Sequence, residues 1–175
     1  VLFVPVRLTA EYDGVLHEYE RISNQRMKLT AYTLSGRTYE IQAFSKDRDS
    51  LEDTDVSVTL KWGLLHTKLE IRPVPFDHYT VYYNALHYEK ESLRPEDLVI
   101  SAVFEDGFVR VLSPDEYTFS GEERETDVAV TVHSLFGDGP AGNIPMVRFT
   151  GYRFVGPAVY EGDSIRKEQY AAFAV

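Results

Sequence analysis

The chain has no cysteine, only two methionines and a single tryptophan. Without thiols it can hold no disulfide, no thiolate zinc site and no cysteine nucleophile. That absence suits a reducing cytosol, and equally a surface protein that is stable without disulfides. No apolar run approaches the roughly 20 residues that a membrane-spanning helix requires, so direct membrane insertion is not expected. Basic residues are scarce, 18 Lys and Arg against 28 Asp and Glu, for a net charge of −10. Such a chain repels phosphate backbones and anionic lipid surfaces, so nucleic acid is excluded as an expected partner. The first residue is Val, and no basic segment leading into an apolar core follows it, so no signal peptide is read. A processed product or a piece of a longer chain is expected. Sustained helical periodicity is weak as well; Leu93-Arg94-Pro95-Glu96-Asp97 reads as a turn or one 3₁₀ turn.

What is plentiful points to strands. Hydrophobic residues make up 43% of the chain and aromatics 13%, with 12 Tyr and 10 Phe. That is enough apolar material for packed cores and suits cross-strand packing. The pattern also repeats. Thr54-Asp55-Val56-Ser57-Val58-Thr59-Leu60 returns as Thr126-Asp127-Val128-Ala129-Val130-Thr131-Val132. Leu29 to Gly36 lies over Ile100 to Gly107. Both stretches alternate apolar with polar residues into a Gly turn and a second alternating run, which is a β-hairpin. Leu8-Thr9-Ala10-Glu11-Tyr12 matches Tyr79-Thr80-Val81-Tyr82-Tyr83, and Lys68-Leu69-Glu70-Ile71 is set against Met146-Val147-Arg148-Phe149. A third copy is read as beginning near Gly156, because Tyr160 precedes Ala174 by the spacing that separates Tyr88 from Ala102.

These residues predict an all-β chain built of tandem immunoglobulin-like antiparallel β-sandwiches. The expected units are 1–74, 75–154 and a remainder, 155–175, read as the start of a truncated third repeat or a pairing tail. Arg72-Pro73-Val74-Pro75 is expected to be a stiff linker, because each Pro fixes φ.

Val99 to Gly107, Tyr117-Thr118-Phe119-Ser120 and Val128 to Val132 resemble the bacterial immunoglobulin-like domain of group 3. The likeness covers most of the second unit, about half of the first and the opening of the third. The first unit departs from the pattern, with Ser35 in place of Asp before Gly36. The resemblance implies a tandem sandwich array of the kind found in bacterial surface proteins, adhesins and phage virions, with no enzyme activity and no catalytic residues.

Chemistry-bearing clusters are few. Asp47, Asp49, Glu52, Asp53 and Asp55 crowd one loop and could serve Ca²⁺, which takes six to eight oxygens. The spacing is not that of an EF-hand, since Leu51 and Glu52 stand where a ligand and the turn Gly belong. A solvated acidic loop is the simpler reading, and no cofactor is expected. His17, His66, His78, His87 and His133 show no metal-ligand spacing and read as exposed or interface residues. Gly137-Asp138-Gly139-Pro140-Ala141-Gly142 reads as a turn between the last two strands. Tyr79, Tyr82, Tyr83 and Tyr88 gather near the junction of the units. Alternation puts Tyr79, Val81 and Tyr83 on one face and Tyr82 on the other. One set belongs to a core, and the other could stack on a sugar or anchor a partner.

The functional expectation is a non-enzymatic structural or adhesive spacer of an extracellular bacterial surface protein. Its partners would be a protein, a glycan or neighbouring copies in an assembly. Two alternatives stand beside it. One is a phage virion component such as a capsid decoration, neck or tail-fibre domain. The other is a carbohydrate-binding accessory module of a secreted enzyme.

Overall fold

The computed structural model of the chain describes residues 4–52, 54–156 and 171–174. Among the described residues it is all-β, with fifteen strands and two short 3₁₀ turns. The first half opens on β1 (Pro5–Tyr12), β2 (Met27–Thr33) and β3 (Thr38–Ile41), which form one antiparallel sheet. Next come β4 (Ser45–Lys46), β5 (Ser57–Trp62) and β6 (Leu65–Glu70), which form a second. Strand β1 packs against β6. Leu8, Leu29, Ala31, Val58, Leu60 and Leu69 meet between the two sheets in a single core.

The second half is likewise built of two sheets. Strands β7 (Phe76–Tyr83), β8 (His87–Tyr88), β9 (Leu98–Phe104) and β10 (Val109–Val111) lead into β11 (Tyr117–Glu123), β12 (Asp127–Ser134) and β13 (Gly137–Val147). They assemble as sheets ordered β10-β9-β7 and β11-β12-β13-β8, with β7 against β13. Their core holds Tyr79, Ile100, Ala102, Phe104, Val130, Val132 and Ile144. The two layers and the antiparallel pairing make each half sandwich-like.

Pairing registers coincide between the halves. Ala10 pairs Leu29 as Val81 pairs Ile100, and Leu8 pairs Ala31 as Tyr79 pairs Ala102. A register irregularity falls between Pro5 and Arg7, and again between Phe76 and His78. Gly36 and Gly107 hold φ of +79° and +83° in the two hairpin turns, a conformation that favours Gly. The 3₁₀ turn Asn24–Arg26 leads into β2 as the 3₁₀ turn Pro95–Asp97 leads into β9.

The remaining strands pair with each other. β14 (Tyr152–Val155) is antiparallel to β15 (Ala171–Ala174), with Tyr152 opposite Ala174. That is the relation of Tyr79 to Ala102. β14 begins three residues ahead of the boundary expected at 155, so it belongs with the tail. Tyr160 to Ile165, which the expected third copy rests on, lies outside the described residues.

Two sequence expectations need correction. Gly137 to Gly142 is not a turn. It lies within β13, paired to β12 from Ser134 opposite Gly137 to Asp127 opposite Pro145. Close packing of β7 on the strand leaves little room at Gly139 and Gly142, whereas Gly137 lies in open space with φ at +98°. A Cβ at Gly139 would lie 3.3 Å from the Tyr79 ring, and one at Gly142 3.2 Å from Val81. The closing strands also align differently. Ser57 opposite Glu70 corresponds to Ala129 opposite Asn143, so Ile71 matches Ile144 and not Phe149. The twin heptapeptides themselves differ in burial: Val128 is buried, whereas Val56 is exposed and precedes β5.

Candidate functional site

The four tyrosines separate according to strand alternation. Tyr79 is buried, and its hydroxyl lies 2.7 Å from both Ser134 Oγ and the Gly137 carbonyl. Burial pushes this hydroxyl up from the ordinary tyrosine value, partly offset by the Ser134 bond. Tyr83 is half-buried. Its hydroxyl accepts the Arg94 amide at 3.2 Å, and its ring stands edge-on to His87. Tyr82 is 65% exposed on the opposite face of β7, and Tyr88 is exposed on β8. Thus Tyr79 and Tyr83 serve the inside of the second half, while Tyr82 and Tyr88 offer ring surface to solvent.

The carboxylates of the acidic loop are engaged in protein contacts. Asp47 Oδ1 accepts the Thr59 amide at 2.9 Å. Burial would raise the Asp47 carboxyl, but the bonds to Thr59 and the charge of Arg48 hold it below the usual carboxylate range. Asp49 pairs with Lys46 at 3.1 Å. Asp55 is bonded by the Arg48 guanidinium, which together with the Glu52 amide lowers its carboxyl as well. Asp53 lies outside the described residues. No group of three His, Asp or Glu converges as a metal would require among the described residues.

The densest constellation lies where the two halves meet, and it centres on His17. The chain leaves β1, runs through Leu16 and turns at Tyr19, which holds φ at +58°. That is uncommon for a non-glycine residue. The turn is closed by the Glu20 amide donating to the His17 carbonyl at 3.0 Å. Glu20 Oε2 in turn accepts the His17 amide at 2.9 Å and lies 3.2 Å from His17 Nδ1. Across the junction, His17 Nε2 lies 3.0 Å from Asp106 Oδ2, in the β9–β10 turn. The His17 ring stacks on Phe108 at 4.2 Å and tilts against Phe104 at 4.8 Å. Tyr19 meets Phe136 edge-on at 5.3 Å.

The backbone of the linker is bonded from both sides. Val74 donates to the Leu16 carbonyl at 2.8 Å, and Glu18 donates to the Val74 carbonyl at 3.0 Å. The Glu18 carboxylate accepts the Phe76 amide at 2.9 Å, and Glu105 donates to the Pro75 carbonyl at 3.1 Å. Glu18 is only 9% exposed. Asp106 is held below the usual carboxylate range chiefly by the Phe108 amide, which outweighs the cost of burial, with smaller contributions from His17. Both imidazole nitrogens of His17 therefore face carboxylates, and its ring is covered by aromatics. A small cleft of about 300 Å³ remains beside it, rimmed by Arg21 and Arg110. The Arg110 guanidinium is taken up by Glu116.

Sequence reading took His17 only as an exposed or interface residue and passed over Glu18; His87, read in the same way, is instead buried. The partners of His17 and Glu18 lie far along the chain, so local spacing carries no sign of them. A subtler sign is present: Glu18 and Glu20 recur as Glu89 and Glu91 in matching places. The structure gives that recurrence a shape. Lys90 repeats the positive φ of Tyr19 at +66°, Glu91 donates to the Tyr88 carbonyl, and Glu89 donates to the Val147 carbonyl. His17 bridges Val74 in parallel, as Tyr88 pairs Val147 in parallel. No helix of the described residues is long and apolar enough to cross a membrane. No protein-family model matches the chain, and comparison with curated proteins finds no match.

Proposed function

We propose that the chain is a tandem of immunoglobulin-like sandwiches acting as a stiff, non-enzymatic spacer in an extracellular bacterial surface protein. The observation that carries this reading is the junction. A spacer has to transmit orientation, and here a linker of a few residues is hydrogen-bonded to both halves, while the His17 ring of the first half stacks on Phe108 of the second. Interfaces between domains that move freely are ordinarily small and wet. The recurring registers and the recurring turn at Tyr19 and Lys90 support a duplicated unit. The same stiffness would serve a phage virion component, where copies are held at fixed spacing.

The lack of native cysteine makes the test direct. Spin labels on Ser35→Cys and Ser120→Cys, one in each half, report the distance between them by pulsed electron resonance. A narrow distribution that broadens in a His17→Ala/Glu18→Ala background is expected. A broad distribution in the parent background would end the spacer reading. The exposed rings of Tyr82 and Tyr88 favour glycan contact as a second role. A glycan array with no binding, or with binding unchanged in Tyr82→Ala/Tyr88→Ala, would remove it.

A further inference from the structure

His87 is a buried histidine whose polar ring is only partly accommodated by the fold. It is 2% exposed, and its Nδ1 is buried without a hydrogen-bond partner. Leaving such a nitrogen buried and unpaired disfavours the folded state. The corresponding place in the first half is held by Leu16, 1% exposed, just ahead of the matching parallel bridge. The fold is therefore satisfied by an apolar residue here, and an unpaired buried imidazole calls for another explanation.

The imidazole lines a groove of about 290 Å³ between the loop after β8 and the β11–β12 hairpin. Leu93, Phe119 and Val128 form its apolar wall, and Glu91 and Glu123 supply carboxylates. Neither carboxylate forms an ion pair or side-chain hydrogen bond among the described residues. Gly121 also lines the groove and has no room for a side chain, since a Cβ there would lie 2.9 Å from Val128 and 3.4 Å from Leu93.

We infer that this groove binds a primary alkyl-ammonium group, as carried by a lysine side chain or a linear diamine. The alkyl stem suits the apolar wall, as lysine stems do when they lie along apolar surface. The ammonium brings three donors and no acceptor. Two unpaired carboxylates and an imidazole lone pair are the matching acceptors. An anion is disfavoured by Glu91 and Glu123 and by the net charge of −10. A divalent metal is disfavoured because its ligands must close to about 2.0–2.6 Å. No such group of three is assembled among the described residues.

The test is amide chemical-shift titration of the whole chain with two probes, cadaverine and Nα-acetyl-lysine methylamide, at low ionic strength. Saturable shifts confined to residues 87–93 and 119–128 are expected, with about millimolar affinity. Binding of the blocked lysine alone would identify a protein side chain as the source, and binding of cadaverine alone a free diamine; either supports the inference. His87→Leu puts the first half's residue in this place, so it should melt no lower than the parent while weakening binding about tenfold. Glu91→Gln/Glu123→Gln should weaken binding at least as much and lose its salt dependence. Three outcomes overturn the inference: no saturable shift with either probe, binding unchanged in both variants, or saturation of the same amides by Zn²⁺ or Ca²⁺ with none by the amines. Failure of the spacer reading would leave this test unaffected, since it concerns one groove within the second half.

Discussion

Asp106 ties the β9–β10 turn to His17, and its carboxylate is the charged partner in that contact. Its native value lies below that of an ordinary carboxylate, because the Phe108 amide and His17 favour the ionised form. A group depressed on folding stabilises the fold above its unfolded value, and the benefit is lost as pH falls through the native value. The melting difference between the parent chain and Asp106→Asn should hold steady above about pH 5 and shrink below about pH 4. A difference independent of pH would show that the carboxylate charge is irrelevant to the junction. Gly107, next in the chain, tests the backbone instead. Its φ of +83° leaves open space where a side chain would go. Gly107→Ala should therefore cost about 1–2 kcal/mol in urea unfolding through conformation alone, with no clash. At this scale the sequence is only partly legible. Asp-Gly announces the turn, but nothing local to His17 announces a partner 89 residues away.

Among the strands, β5 and β12 were readable because one face of each alternates apolar residues into a core. Val58 and Leu60 answer to Val130 and Val132 as buried pairs. Strand β13 was not readable, since Gly, Asp and Pro are loop-formers by local preference. What overrides that preference is close packing: one edge of the Tyr79 ring lies against Gly139, and its hydroxyl is pinned at Ser134 and Gly137. A ring held in this way cannot retreat. Gly139→Ala should destabilise the second half by about 1–3 kcal/mol, as overpacking does. The neighbouring Asp138→Ala, on a 73% exposed side chain, should stay within about 0.5 kcal/mol. Equal, small effects from the two would restore the loop reading of this stretch. The acidic loop is the converse case. Its composition was plain, but Asp47, Asp49 and Asp55 are each claimed by a different partner, and only the folded chain places Thr59, Lys46 and Arg48 beside them.

For the molecule as a whole, the question is whether two cores behave as one. Repetition in the sequence reveals two hairpins of one design but cannot tell whether they are strung loosely or locked together. The lock depends on Glu18, nearly buried, whose carboxylate accepts the first amide of β7. Removing it strands that amide, while His17 and Phe108 lose their alignment across the junction. The single Trp62 lies beside the first core, so its fluorescence follows the first half alone, whereas far-UV circular dichroism follows both. In the parent chain, urea should unfold both signals with one midpoint, because opening either core exposes the stacked rings of the junction. In His17→Ala/Glu18→Ala the two midpoints should separate, with a coupling loss of about 1–3 kcal/mol for the orphaned amide and its contacts. Separate midpoints in the parent chain would mean that the halves are independent. Coincident midpoints in the variant would mean that something other than Glu18 and His17 joins them. Either result would move the source of stiffness away from the junction and onto the linker prolines, of which Pro73 is fully buried.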